Sequence, residues 1–339
     1  MKTTRIATAI CWSLSALLFM GLALWILIAS PIALPNLSLS IGGYESLRGS
    51  FQPVGEYSVS AFDVSSIKIA WIAGHVTVRP HDADIILIKE LAQRELNEDE
   101  TLSWRVSDGN LVIGFLEKSA FRFRMPSKRL EVYIPSDMGD RLGILEITST
   151  SGGIAVSDIS PKVFQSEMTS GNINITRVQS ESITIRTTSG RIDVEESKSR
   201  TVDSRATSGR QRVSGAFGDV HLSGTSGSIT LENESVASTV KTSLTSGTQN
   251  LSGSFSGVEV KSTSGSISIS SAAVPEDLSV SNTSGSVKIE IPNEGAISLA
   301  HSSTSGRLTS DITYLTQKGP AQFRISTTSG SVRITEISS

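Results

Sequence analysis

Apolar residues alternate with polar ones through much of this chain, in short runs interrupted by glycine. In one such stretch Val258 and Val260 alternate with charged residues, Gly265 follows, and Ile267 and Ile269 resume the alternation. A period of two is typical of a β-strand with one buried face, and an internal glycine indicates a bend. The pattern therefore predicts two short strands of about 5–6 residues, joined at a glycine corner.

From residue 146 onward this unit recurs and carries the tripeptide Thr-Ser-Gly. The tripeptide occurs ten times, and its glycines are spaced by 19, 19, 19, 18, 20, 18, 20, 21 and 24 residues. A regular period near 20 residues indicates a solenoid. We predict an all-β fold, a parallel β-solenoid of about ten coils of 19–20 residues, in which each strand pairs with its counterparts about 4.8 Å above and below.

Period-two parity assigns the two hydroxyl residues of each triplet to opposite faces, with the threonine outward and the serine inward. Glycine suits the corner because it accepts a positive φ without steric cost. A buried hydroxyl without a partner costs about 1–3 kcal/mol, so we expect the serines to hydrogen-bond the corner backbone or one another. The predicted structural corner consists of Ser151, Gly152, Ser170, Gly171, Ser189, Gly190, Ser208, Gly209, Ser226, Gly227, Ser246, Gly247, Ser264, Gly265, Ser284, Gly285, Ser305, Gly306, Ser329 and Gly330.

The N-terminal segment has the character of a transmembrane helix. Residues 6–29 carry no charge, and as a helix they would span about 36 Å, enough to cross a hydrocarbon core of about 30 Å. Lys2 and Arg5 precede the segment, which predicts a cytoplasmic N-terminus and a single pass through a bacterial inner membrane, with the body in the periplasm or at the cell exterior. A cleaved signal peptide is the alternative, although its apolar region is usually about 7–15 residues long.

Composition divides the chain into four predicted parts. Residues 1–30 form the cytoplasmic stub and membrane anchor, and residues 31–55, rich in Pro, Gly and Ser, form a linker. Residues 56–145 repeat the strand, glycine, strand pattern more loosely around Gly74. Because a solenoid needs atypical terminal coils to cover its core, we assign this region as an N-terminal β cap, followed by the solenoid at 146–339.

Charge and cysteine content remove several classes of function. A net charge of −3 provides no basic field for nucleic acid. The single cysteine, Cys11, lies in the apolar segment, so the body has no disulfide, zinc cluster or thiol nucleophile. Carboxylates such as Asp203 and Asp219 show no stacked pair, and we predict a protein that is not an enzyme and holds no cofactor or metal. The alternative is a carbohydrate-active β-helix enzyme acting on an envelope or extracellular polysaccharide.

Two segments are candidates for binding. Basic residues interleave with phenylalanine between Lys118 and Arg129, which suits an anionic lipid or polymer. Only four residues follow the final strand, so we predict an open edge there for an envelope protein or a second copy of the chain. The candidate residues are Arg122, Arg124, Lys128 and Arg129 for the anionic surface, and Tyr314, Leu315, Val332 and Ile334 for the docking edge and its loop.

These motifs resemble the toastrack family of adhesin-type bacterial envelope proteins. The resemblance rests on the strand and corner around Gly74, the run Val132-Tyr-Ile-Pro135, and Ser-Gly corners each followed by alternating apolar residues. It covers roughly residues 55–337, brings no catalytic residues, and implies an exported β-solenoid linked with surface adhesion or envelope-stress signalling. We therefore expect a membrane-anchored extracytoplasmic scaffold for adhesion, protein interaction or envelope-stress sensing.

Overall fold

The computed structural model describes residues 51–98, 100–115, 127–295, 297–315, 319 and 321–337. All of them belong to one of the two compact units of the chain, Gly49–Ser339. The predicted anchor and residues 31–50 of the predicted linker lie outside the described residues. Within the described ranges, no helix is long and apolar enough to cross a membrane.

This unit is all-β, as predicted, with two short 3-10 turns at Ala61–Asp63 and Ser136–Arg141. The strands are β1 (Gln52–Ser60), β2 (Ser66–His81), β3 (Ile85–Ala92), β4 (Ser103–Ser107), β5 (Asn110–Gly114), β6 (Lys128–Pro135), β7 (Ile144–Ser157), β8 (Val163–Thr176), β9 (Gln179–Ser271), β10 (Asp277–Ser284), β11 (Val287–Ile291), β12 (Ile297–Ser310), β13 (Tyr314–Leu315) and β14 (Ala321–Glu336).

Successive coils stack in parallel and in register. Gly152 of β7 lies opposite Gly171 of β8, and Gly171 lies opposite Gly190 of β9. The spacing of the triplets therefore equals the length of one coil, and each strand pairs with its counterpart in the next coil. The predicted solenoid-like arrangement is confirmed. The strand β9 is continuous over 93 residues and includes the corner glycines of several coils.

The stack begins earlier in the chain than the sequence pattern predicts. β2 pairs with β7 in parallel, and Gly74 lies opposite Gly152. On its other side β2 pairs with β5 through its first half and with β6 through its second half. The part of the chain predicted as a cap thus contains a first coil, β2, and a split coil made of β5 and β6 that covers it.

The predicted C-terminal boundary of the linker, residue 55, is wrong because residues 52–55 belong to β1. Gln52 pairs with Ala92 of β3 in an antiparallel ladder, with a register irregularity between Pro53 and Gly55. β3 in turn pairs antiparallel with β6. Pairing to a distant strand decides the structure here, although the local composition is typical of a loop.

Corner glycines lie directly on top of one another. Gly190 has φ +137°, and a Cβ built on it would lie 1.8 Å from the carbonyl oxygen of Gly171. No side chain fits into that contact, and a positive φ already favours glycine. The backbone of one corner therefore occupies the space that a Cβ of the next corner would need.

The predicted inward orientation of the triplet serines is wrong. Nine of the ten are exposed and Ser151 is half-buried. The alternation ends one residue before the triplet, at a buried position occupied for example by Ser149 and Thr187. Because the chain turns at the corner, both the threonine and the serine face solvent. The stack does not depend on the serines, since the glycine contacts and the backbone ladder hold the corners together.

In some coils the last buried position before the corner makes the hydrogen bond to the corner backbone that is expected of the serines. Ser149 Oγ donates to the carbonyl oxygen of Ser151 at 3.4 Å, and Thr187 Oγ1 donates to that of Ser189 at 3.3 Å. The same position is apolar in other coils, as at Met168, Ala206 and Leu244. Other polar residues at this position differ: Thr327 Oγ1 donates to Ser303 Oγ at 3.1 Å, and the buried Ser262 Oγ has no hydrogen-bond partner among the described residues. A backbone carbonyl is therefore one partner of this position and not a requirement for a polar residue there.

The coils at the C-terminal end do not follow chain order. β14 pairs with β10 and β11 on one side and with β12 on the other, so the last strand lies between two earlier ones. The inward residues explain this order: Ile325 and Ile334 of β14 are buried, whereas His301 and Ser310 lie opposite them in β12. Burying an isoleucine side chain contributes about 1.5–3 kcal/mol, which favours β14 in the interior and β12 at the end.

Candidate interaction surfaces

The outer side of β12 is an open sheet edge within the described residues. One side of β12 pairs with β14 along its whole length. The other side pairs only at Ile297 and Ser298, with Tyr314 and Leu315 of β13. From residue 299 to residue 310, the outward backbone N–H and C=O groups of β12 therefore have no strand beside them in the part of the chain that the structure describes.

This edge has little of the protection that sheet edges usually carry. Natural edge strands are blocked by prolines, charged residues or bulges. β1 has Pro53 and the adjacent register irregularity. β12 contains no proline, and Arg307 is its only residue among Lys, Arg, Asp and Glu. A strand of fourteen residues without these features is a suitable surface for strand addition.

The four predicted edge residues divide into two pairs. Tyr314 and Leu315 are 43% and 44% exposed and lie in β13, beside the open edge. Val332 and Ile334 are buried and pair on both sides, with β11 and with β12. The prediction of an open edge at the last strand is wrong for these two residues because their apolar inward side chains place β14 inside the stack.

The predicted anionic-surface residues also lie in different environments. Arg122 and Arg124 lie outside the described residues. Arg129 is exposed, with its guanidinium carbon 3.9 Å from the ring centroid of Phe51. Lys128 is only 1% exposed and forms an ion pair with Glu90, which is fully buried. The prediction of Lys128 as a surface cation is therefore wrong.

Lys128 instead lies in a closed cage in the split coil. Its Nζ donates to Glu90 and to the backbone carbonyl of Glu100, and lies 3.5 Å from the ring centroid of Phe115. Glu90 also accepts from the backbone N–H of Leu102 at 3.0 Å. Burial lowers the pKa of Lys128, and the hydrogen bond and charge of Glu90 oppose that shift. The lysine thus links three segments of the cap.

A column of charged side chains runs along one outward position of the central coils. His221 Nδ1 lies 4.0 Å from Asp203 Oδ2, and Lys241 Nζ lies 3.9 Å from Glu259 Oε2. Lys261 adds a contact of 2.5 Å to Glu259 Oε1. A groove of about 420 Å³ beside this column is lined by Thr201, Val202, Asp203, Asp219, Val220, His221, Thr239 and Lys241.

The spacing of these residues in the sequence is a signal for this column. Asp203, His221, Lys241 and Glu259 are separated by 18, 20 and 18 residues. Gly209, Gly227, Gly247 and Gly265 have the same three intervals, so these side chains occupy equivalent positions in four coils. Because the column mixes acidic and basic residues, a search for carboxylates alone does not find it.

The groove limits the chemistry that this face can support. Among the described residues, no group of three or more His, Cys, Asp or Glu side chains is arranged to hold a metal ion. Asp203 and Asp219 both line the groove. The carbohydrate-active enzyme therefore stays the alternative prediction, with these two carboxylates as the groups to which it applies. Glu259, at the end of the column, has a lowered pKa and so lacks the raised pKa expected of a general acid.

We expect the carboxyl group of Glu259 to titrate below its ordinary range. The hydrogen bond from Lys261 is the main cause, and the charges of Lys241 and His221 add to it. A carboxyl group with a depressed folded-state pKa stabilises the fold above its unfolded pKa, and this contribution is lost as the pH falls through the folded value. A carboxyl-detected NMR titration should show the midpoint rising in Lys261→Gln.

A matched control for this titration is Lys288→Gln, which removes the lysine of the separate Lys288–Glu290 pair. That substitution should leave the Glu259 midpoint unchanged. An unaltered midpoint in Lys261→Gln would contradict the assignment of the pKa shift to Lys261.

Several solved structures match this chain at low identity. A candidate lipid-binding protein from Parabacteroides distasonis is 12% identical, covers 86% of this chain and 98% of its own, and has a TM-score of 0.45. A candidate adhesin from Bacteroides fragilis is 12% identical, with 85% and 99% covered and a TM-score of 0.40. A candidate cell adhesion protein from Clostridium sporogenes is 10% identical, with 84% and 100% covered and a TM-score of 0.27.

No curated protein matches the sequence. The family described as Toastrack DUF4097 matches residues 64–254 and 216–335. These two matches together run from residue 64, two residues before β2, through every corner glycine and into β14. They cover well over half of the chain and agree with the resemblance seen in its motifs. The chain therefore belongs to the Toastrack DUF4097 family.

Proposed function

We propose that this protein is a membrane-anchored extracytoplasmic scaffold that mediates adhesion or protein interaction, and that it acts without catalysis. The observation that carries the proposal is the open edge of β12, fourteen residues long and paired on its outer side only at Ile297 and Ser298 among the described residues. An edge of this kind binds a partner by adding a strand to the sheet, with backbone hydrogen bonds providing affinity.

The structure of the stack supports a role as a scaffold. Its inward residues form one continuous hydrophobic core that extends from β1 to β14. Outward side chains vary from coil to coil without changing the backbone, as the mixed charges between Asp203 and Glu259 illustrate. Such a stack can present a partner surface at its end while its body keeps a constant structure.

The basic segment adds a second proposed contact, with an anionic lipid or polymer. With Lys128 buried, this surface consists of Arg122, Arg124 and Arg129. Arg129 is the described member and is exposed. Each cation near an anionic surface contributes about 1 kcal/mol, so three of them give a weak attachment that would supplement the membrane anchor.

A photo-crosslinking experiment in intact cells tests the role of the β12 edge. A photoreactive amino acid is placed at Ser302 of β12, which is exposed beside the open edge. The matched control is Ser281, which is also exposed and has the same position relative to its corner glycine, but lies in β10 between two paired strands. We expect adducts with another protein at Ser302 and a much lower yield at Ser281.

Equal yields at the two positions, or no adduct at Ser302, would contradict the proposal. An adduct that contains a carbohydrate polymer and no protein would favour the carbohydrate-active alternative. The identity of the crosslinked protein then distinguishes a contact within the cell envelope from adhesion to another cell.

A further inference from the structure

β14 lies in a slot that the rest of the chain forms around it. On one side its first half pairs with β10 and its second half with β11, and on the other side the whole strand pairs with β12. A Cβ built on Gly330 would lie 1.9 Å from the carbonyl oxygen of Gly285, and one built on Gly306 would lie 2.1 Å from that of Gly330. The three corners stack in the order 285, 330 and 306.

β12 reaches the stack only through β14 in the described structure. Among the described residues its strand partners are β14 and the two residues of β13, and β13 itself pairs only with β12. In the final stack β14 therefore lies beneath β12, although β12 precedes β14 in the sequence. Until β14 docks, the outer edge of β10 and β11 is unpaired.

The contacts of β14 do not require that it belong to the same chain. Phe323, Ile325 and Val332 are buried against the neighbouring coils, and the backbone ladder repeats the register of the rest of the stack. The connection from β12 to β14 spans residues 311–320 and includes β13, which pairs with β12. Once β13 is released from β12, these ten residues can extend over about 33 Å. This length suffices to carry β14 into the slot of a neighbouring copy at its C-terminal end.

We propose that β14 is an exchangeable strand, and that two copies of this chain form a dimer by each inserting β14 into the slot between β10–β11 and β12 of the other. Exchange of an identical element forms a symmetric dimer without any contact that the monomer lacks, apart from those of the connecting segments. The exchange uses the side of β12 that pairs with β14, whereas the proposed partner contact uses the opposite, outer side of β12.

Single-cysteine variants test this exchange in the full-length chain, with Cys11→Ser as the background. Ser281 of β10 and Ser326 of β14 are register partners, and both are exposed. Ser281→Cys and Ser326→Cys chains are mixed, partially unfolded in mild denaturant, returned to native buffer at high concentration and oxidised. We expect a disulfide-linked dimer that contains one chain of each kind, with a yield that rises with protein concentration.

Two controls interpret that result. A chain that carries both substitutions should form the disulfide within a monomer at low concentration, which shows that the variants fold with β14 beside β10. Ser281 and Ser302 lie on either side of β14, about 9.6 Å apart, beyond the roughly 7 Å limit for a disulfide. Mixed Ser281→Cys and Ser302→Cys chains should therefore give no dimer above the level of each variant alone.

The proposal is overturned if the doubly substituted chain forms its internal disulfide while the mixed single variants stay monomeric at every concentration. It is also overturned if Ser281→Cys links to Ser302→Cys, because that result places β12 directly on β10 and removes the slot. Neither result bears on the photo-crosslinking yield at Ser302, so failure of the exchange is distinguishable from failure of the proposed function.

Discussion

Gly209→Ala is expected to destabilise the stack by about 4 kcal/mol or more, at the upper end of single-substitution effects. Gly209 has φ +133°, and a Cβ on it would lie 1.8 Å from the carbonyl oxygen of Gly190. The backbone conformation alone costs about 1–3 kcal/mol for a residue with a side chain. The clash with a backbone oxygen adds to this cost, because the oxygen belongs to the neighbouring coil and cannot rotate away.

Thermal and urea unfolding, followed by circular dichroism, measure this loss. Gly257→Ala is the matched control, because Gly257 also lies within β9 but has no left-handed φ, and the nearest atom to its built Cβ is the Ser238 carbonyl oxygen at 3.3 Å. We expect the control to change stability by about 1 kcal/mol or less. Similar losses of unfolding free energy in the two variants would show that the stacked corner contacts contribute no more to stability than the backbone around Gly257 does.

Lys128→Met is expected to lower the free energy of unfolding by about 3–5 kcal/mol, because it leaves Glu90 buried without its cation. Glu90 is fully buried, and its described partners are Lys128 and the backbone N–H of Leu102. Methionine fills a similar volume beside Phe115, so the loss reports the uncompensated carboxylate and not a cavity. The carbonyl oxygen of Glu100 also loses the hydrogen bond from Lys128.

The double variant Glu90→Gln, Lys128→Met separates the charge from the packing. Glutamine keeps an acceptor for the Leu102 N–H and carries no charge, so most of the lost stability should return. Equilibrium unfolding of the two single variants and the double variant gives the coupling energy directly. A double variant as unstable as Lys128→Met would contradict this explanation, and would assign the loss to the contact of Lys128 with the Glu100 carbonyl.

Several features of the structure follow from local sequence alone. The alternation of Val258, Val260, Ile267 and Ile269 around Gly265 predicts the two strands and the corner, and the structure buries all four side chains. The period of the triplets predicts the length of a coil, because pairing in register requires equal numbers of residues per turn. These predictions hold because each depends on residues within one coil and its nearest neighbour.

The orientation of the triplet serines shows where parity fails. Counting in steps of two assigns Ser208 to the interior, but Ser208 is exposed. A strand alternates its faces only while it stays straight, and the turn at the corner places two consecutive residues outside. The sequence marks the corner by its glycine but does not show at which residue the alternation stops.

The amino-acid sequence alone is sufficient to predict the repeat, the coil length, the inward apolar positions and the need for glycine at each corner. These features arise from contacts between adjacent coils of the same pattern. Two features depend on the tertiary structure: β14 lies beneath β12, and Lys128 is buried beside Glu90 and Phe115. Each of these depends on which of several distant segments occupies a position in the stack. The burial and pairing of whole strands determine that choice.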